Sequence, residues 1–112
     1  MNTVAIIIQI VLALGFLMFG AMKLGSKQMV DEFTRYGMPQ WFRVITGLLE
    51  IAGAALLVAG IWNNSLVVYG GLLLTVIMVG AVITHLRIKD PVSKIGMPII
   101  LIILTLVVLF IK

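Results

Sequence analysis

The sequence predicts an all-α membrane protein: a transmembrane antiparallel four-helix bundle with a short amphipathic interfacial helix between helices 1 and 2. Three observations carry this. Of the 112 residues, 62% are hydrophobic and 11% charged, and the mean hydropathy is +1.26, which leaves too little polar sequence to cover a soluble domain. Four apolar stretches, about 3–24, 40–62, 65–87 and 95–111, are each long enough to cross a hydrocarbon core as a helix. Seven of the eight lysines and arginines fall in or beside two of the connecting segments, leaving only Lys112 elsewhere. Residues 1–112 then form a single domain, with no repeat and no linker long enough to divide it.

The first stretch is uncharged from Thr3 until Lys23. It has no basic leader and no small-residue cleavage site, so it reads as a retained helix and not as a signal peptide. Gln9 is its strongly polar side chain and is expected to hydrogen-bond to a neighbouring helix. Phe16, Phe19, Gly20 and Lys23 share a face near its end.

Composition changes over residues 25–43. Ser26 can cap a short helix with Asp31 and Glu32 toward water and Met29, Val30 and Phe33 on the other side. Gly37 is a C-terminal stop, and Pro39 stands where a new helix begins. The segment is expected to lie on the membrane surface; an irregular polar loop is the competing reading. Trp41 and Phe42 suit the interfacial belt at the entry of the second span.

The second span holds a carboxylate, Glu50, with Thr46, Gly47, Gly53 and Ala54 on the same face. A bare carboxylate in hydrocarbon costs about 2.5 kcal/mol or more, so Glu50 must be protonated, paired or wet. Asn63-Asn64 is a tight turn, and Ser65 is expected to cap the third span. A connection so short makes spans two and three antiparallel neighbours. The third span carries Gly70, Gly71, Thr75, Gly80, Ala81, Thr84 and His85; Asp90-Pro91 then marks a turn or a helix start. The fourth span is almost wholly aliphatic, with Pro98 in its first turn or at a kink, and reads as packing and lipid contact.

The basic residues orient the chain in the cell membrane: loops 25–43 and 87–94 are expected to be cytoplasmic and both termini extracytoplasmic. The net charge of +4 then serves topology and anionic headgroups, so no nucleic acid is expected as a partner beyond the lipid bilayer. The lack of cysteine excludes disulfides, thiol catalysis and cysteine-based metal sites. With a single histidine, no metal site and no covalently bound cofactor are expected.

By depth, Lys23, Glu50 and His85 fall in the cytoplasmic half of the bundle on three different helices, Glu50 being roughly 10 Å inside at 1.5 Å per residue. Turned inward, Lys23 or His85 can reach Glu50, with Thr46 and Thr84 completing the network. Lys23 is favoured, because lysine keeps its charge where a histidine near its reference pKa of about 6.5 is mostly neutral. The plainer alternative is that Lys23 snorkels to headgroups and His85 marks a helix end.

These residues form a pattern: Gly20-x-x-Lys23-Leu24, Phe33 with Gly37-x-Pro39-x-Trp41, Gly47-x-x-Glu50-x-x-Gly53, and Gly80-Ala81-x-x-Thr84-His85. In that order and spacing the chain resembles the DoxX-like family of small four-helix integral membrane proteins, over nearly its whole length. The resemblance implies a four-helix transmembrane fold and an association with redox functions, since the family takes its name from a thiosulfate:quinone oxidoreductase and some members look like partners of redox enzymes. It implies no established reaction for this chain.

The function expected is a redox-associated membrane module that binds a small apolar, quinone-like ligand or a partner protein at the Lys23, Glu50 and His85 cluster. Thr46 and Thr84 would lie beside it, with Phe16, Phe19, Gly20, Gly47 and Trp41 as the pocket wall. Quinone is the one cofactor considered, and electrons would need a redox partner protein. A small proton-coupled transporter and a structural assembly subunit are the alternatives, and homo-oligomer formation stays open.

Overall fold

A computed structural model describes residues 3–111, so Lys112 and the extreme N-terminus lie outside the described residues. Five helices are present there: α1 (Thr3–Gly25), α2 (Lys27–Arg35), α3 (Gln40–Ala59), α4 (Asn64–Arg87) and α5 (Val92–Ile111). All but α2 are long and apolar enough to cross a membrane. The molecule's longest dimension, 43 Å, exceeds the ~30 Å of a hydrocarbon core.

The four long helices form a ring. α1 packs on α3 and α5, α4 packs on the same two, and the diagonal partners make no close backbone approach. Each helix turns a narrow stripe inward, with Phe16, Leu57, Leu74 and Val108 wholly or almost wholly buried. Large apolar side chains such as Leu14, Ile83 and Ile103 point outward, as lipid permits and water does not.

Small residues set how closely the helices approach. A Cβ placed on Gly20 would lie 2.7 Å from the Gly47 carbonyl oxygen, and one on Gly47 would lie 2.9 Å from that of Gly20, so α1 and α3 touch backbone to backbone. Gly53 lies against Leu74, Gly60 against Val67 and Gly70 against Leu56, all in the half of the α3–α4 pair nearest its connecting turn. Toward the other end the two helices border a cavity, and Ile45, Leu49 and Val76 on its flank are exposed.

Several boundaries differ from the sequence expectation. α3 ends at Ala59 and not at Trp62, because Ile61 and Trp62 donate to Val58 and Ala59 in tight i→i+3 turns. The α4 cap is Asn63 and not Ser65: the Asn63 side-chain oxygen accepts the Ser65 N–H at 3.1 Å. α5 begins three residues early, at Val92, which leaves Pro98 inside the helix, beyond its first turn.

α2 forms over nearly the expected stretch, although Ser26 makes no side-chain capping bond. It ends at Arg35, and the chain turns away at Gly37, whose φ of 76° suits glycine. Met38 N–H returns to the Phe33 carbonyl and Gly37 N–H to that of Thr34, a Schellman closure. The apolar side of α2 meets the bundle itself: Phe33 is buried and, with Met29, borders the cavity. Gln9 makes the interhelical bond expected of it, from Nε2 to the Leu57 carbonyl at 3.1 Å.

Candidate functional site

The cavity encloses about 500 Å³ at the α2 end of the bundle. Lys23, Thr46, Glu50, Thr84 and His85 all stand on its wall, contributed by α1, α3 and α4. The rest of the lining is mainly apolar, including Met29 and Phe33 from α2 and Pro98 and Leu101 from α5.

Glu50 is 0% exposed, and its Oε1 lies 2.8 Å from Lys23 Nζ. The Gly20–Gly47 contact explains how the pair meets. With no side chain on Gly47, the Lys23 Cβ lies where a Gly47 Cβ would come within 3.1 Å of it. The lysine stem runs from there along α3 to Glu50, one turn or about 5 Å farther up. Arg43 donates to the carbonyls of Lys23 and Leu24, closing the C-terminal end of α1 with a cation. The second carboxylate oxygen, Glu50 Oε2, is buried with no partner among the described residues.

His85 does not turn to Glu50. Its Nδ1 lies 2.5 Å from Asp90 Oδ2, in the α4–α5 turn. Arg35 of α2 binds the same carboxylate, at 2.6 Å to Oδ1 and 3.2 Å to Oδ2. Glu32 is not left facing water either: it sits 2.5 Å from Arg35 and 3.7 Å from Lys94. Tyr36 adds an edge-on ring contact to His85, and its carbonyl accepts Arg87 at 2.6 Å. α2 makes no backbone approach to α4 or α5, so side chains alone join it to that half of the ring.

Thr46 and Thr84 border the cavity but do not complete a network at Glu50. Their hydroxyls donate back to the carbonyls of Phe42 and Gly80, each at 2.8 Å, the i−4 bond open to a helical threonine. Of the five residues expected as the pocket wall, Phe19 is on it. Phe16 is wholly buried in the core, Gly20 and Gly47 are taken up by the helix contact, and Trp41 is 64% exposed, turned outward edge-on to Phe42. Arg35 and Asp90 were missed, being 55 residues apart. The available signal was that Asp90 is the one acidic residue in the basic segment 87–94.

Hydrogen bonds from Arg35 first, and then from His85, hold the Asp90 carboxyl down at about 2. Burial, and then the negative charge of Glu32, push the Tyr36 hydroxyl up to about 12. Asp90 binds its proton less readily in the closed molecule than when released, so its contribution is complete above pH 3.8 and is lost as the pH falls through about 2. Asp90→Asn should therefore speed amide exchange over residues 27–36 at neutral pH. The wild type should show the same loosening, corrected for intrinsic rates, only in that acid window. Unchanged protection in the variant would show that the carboxylate does not hold α2.

The family model described as the DoxX-like family matches residues 7–108. An uncharacterized protein of Bacillus subtilis (strain 168), YdgD, is 37% identical over 84 residues, covering 74% of each chain. No solved structure matches.

Proposed function

This chain belongs to the DoxX-like family of membrane proteins, and from that premise we propose that it is a redox-associated module whose cavity holds a small apolar, quinone-like ligand. One observation carries the reading: Lys23, Thr46, Glu50, Thr84 and His85, from three helices, stand with Tyr36 and Lys94 around one otherwise largely apolar cavity, and the Glu50 carboxylate is wholly buried with its Oε2 unpartnered among the described residues. At about 500 Å³ the cavity lies within the range of small-molecule sites, and a few polar groups set in an apolar wall suit an aromatic head with polar oxygens. Electrons would pass between the ligand and a redox partner protein.

The test is saturable uptake of menadione, a short quinone, by the protein in nanodiscs, measured against empty nanodiscs. Ala81→Trp, which fills the cavity from α4, should bring uptake down to the empty-nanodisc level. Equal uptake by wild-type and empty nanodiscs would end the proposal.

We propose that the α2 end faces the cytoplasm, since seven of the eight lysines and arginines gather there. A C-terminal reporter active only in the cytoplasm should stay silent. A bright signal would move the cavity mouth to the opposite face.

A further inference from the structure

α2 is fastened differently along its two edges. On one edge it continues into α1 through Ser26 and into α3 through residues 36–39. Gln40 at the start of α3 ties that edge down: its Nε2 donates to the Val30 carbonyl at 3.2 Å and to the Thr34 hydroxyl at 3.1 Å. Gln40 Oε1 accepts Arg43 Nε at 2.7 Å, and Arg43 donates onward to the Lys23 carbonyl, so the edge is anchored to α1 and α3 together. On the other edge only side chains reach across, Arg35 to Asp90, Lys94 toward Glu32 and Arg87 to the Tyr36 carbonyl. Among the described residues of α2, Phe33 alone is buried, so little apolar contact holds the helix down. Met29, Phe33, Tyr36 and Met38 of this segment form part of the cavity wall, with Lys94 and Met97 from α5.

We infer that α2 is a hinged flap over the cavity, with the Arg35–Asp90 ion pair as its latch, so that water-borne solutes enter past α2 and lipid-borne ones by the α3–α4 flank. The edge held by Gln40 and Arg43 is the hinge, and Gly37, at φ 76°, lies in the connection that must turn as the flap swings. Opening breaks contacts between side chains and leaves every helix of the ring in place. The flank at Ile45, Leu49 and Val76 is exposed without any movement of α2, so an apolar molecule has no need of the latch. A charged one cannot cross the lipid to reach that flank and must come from the aqueous end. The inference concerns access alone and holds whatever the cavity binds.

The chain has no cysteine, so Ala81→Cys places a single thiol on the cavity wall. Its labelling rate in nanodiscs is measured with 2-sulfonatoethyl methanethiosulfonate, a water-soluble anion, and with N-phenylmaleimide, which partitions into lipid. Adding Asp90→Asn or Arg35→Gln should speed labelling by the anion at least about fivefold, the low end of common coupling between separate sites, and leave N-phenylmaleimide unchanged. The two substitutions alter local charge in opposite senses, so a shared acceleration reports the latch and not attraction of the reagent. Val108→Cys, at a core position outside the cavity lining, should stay unlabelled in both latch variants. An anion rate that neither substitution raises would overturn the inference. Labelling of the Val108→Cys protein in the latch variants would also overturn it, since the ion pair would then hold the whole bundle together. Equal acceleration of both reagents would do the same, because the flank would then be no separate entrance.

Discussion

Lys23→Met should lower the unfolding free energy by about 3–5 kcal/mol with Glu50 ionised, the cost of leaving one member of a buried ion pair alone. The 2.8 Å contact to Oε1 and the complete burial of Glu50 set the expectation. The Lys23→Met/Glu50→Gln protein should recover much of the loss, because no charge is then stranded. Denaturant or thermal unfolding in detergent of the wild type, both single variants and the double variant closes the cycle. Additive effects would mean that the two groups do not act on each other, and the cavity would lose its electrostatic anchor.

Gly20→Ala is the second large effect expected. Its Cβ would sit 2.7 Å from both the Gly47 carbonyl oxygen and Ile51 Cγ1. The isoleucine can turn aside, but the carbonyl belongs to the α3 backbone, so the helices must separate. A loss of about 1–3 kcal/mol is expected, as for other overpacked sites. Separation also draws Lys23 away from Glu50, so the effect should not add to that of Lys23→Met. Gly15→Ala is the comparison: nothing lies within 4 Å of that Cβ, and alanine favours the helix by up to about 1 kcal/mol. Equal stability of the two variants would show that close approach at Gly20 is not required.

The spans and the Lys23–Glu50 pair were legible because they depend on position along the membrane normal. Counting residues gives that coordinate directly, and it placed Lys23 and Glu50 within a lysine's reach. Rotation about each helix axis is harder to read. His85 lies near the right depth for Glu50, but its Nδ1 meets Asp90 in the following turn. Trp41 follows a helix-starting proline as expected, yet its ring faces outward. Thr46 and Thr84 lie on the cavity side, where the nearest carbonyl one turn back takes their hydroxyls before any distant partner can. The Arg35–Asp90 bond joins segments brought together only once the ring has closed, and no periodicity announces it. Early endings such as that of α3 at Ala59 arise from short-range turns that hydropathy does not resolve.

The exposed flank of the cavity, at Ile45, Leu49 and Val76 between α3 and α4, bears on which concentration governs occupancy. A ligand dissolved in the bilayer can arrive sideways, its head entering while its tail remains among lipid chains. Each methylene of that tail adds about 0.8 kcal/mol to transfer from water into the membrane. It adds nothing to the step from membrane to cavity. Tail length would then set how much ligand the membrane stores, and head chemistry would set what fraction of the protein is filled. For the proposed ligand, confinement to a thin film would raise the local concentration so far that even weak recognition of the head would suffice. Measured per lipid, affinities across a series of tail lengths should coincide; measured per volume of water, they should spread by about 0.8 kcal/mol per methylene.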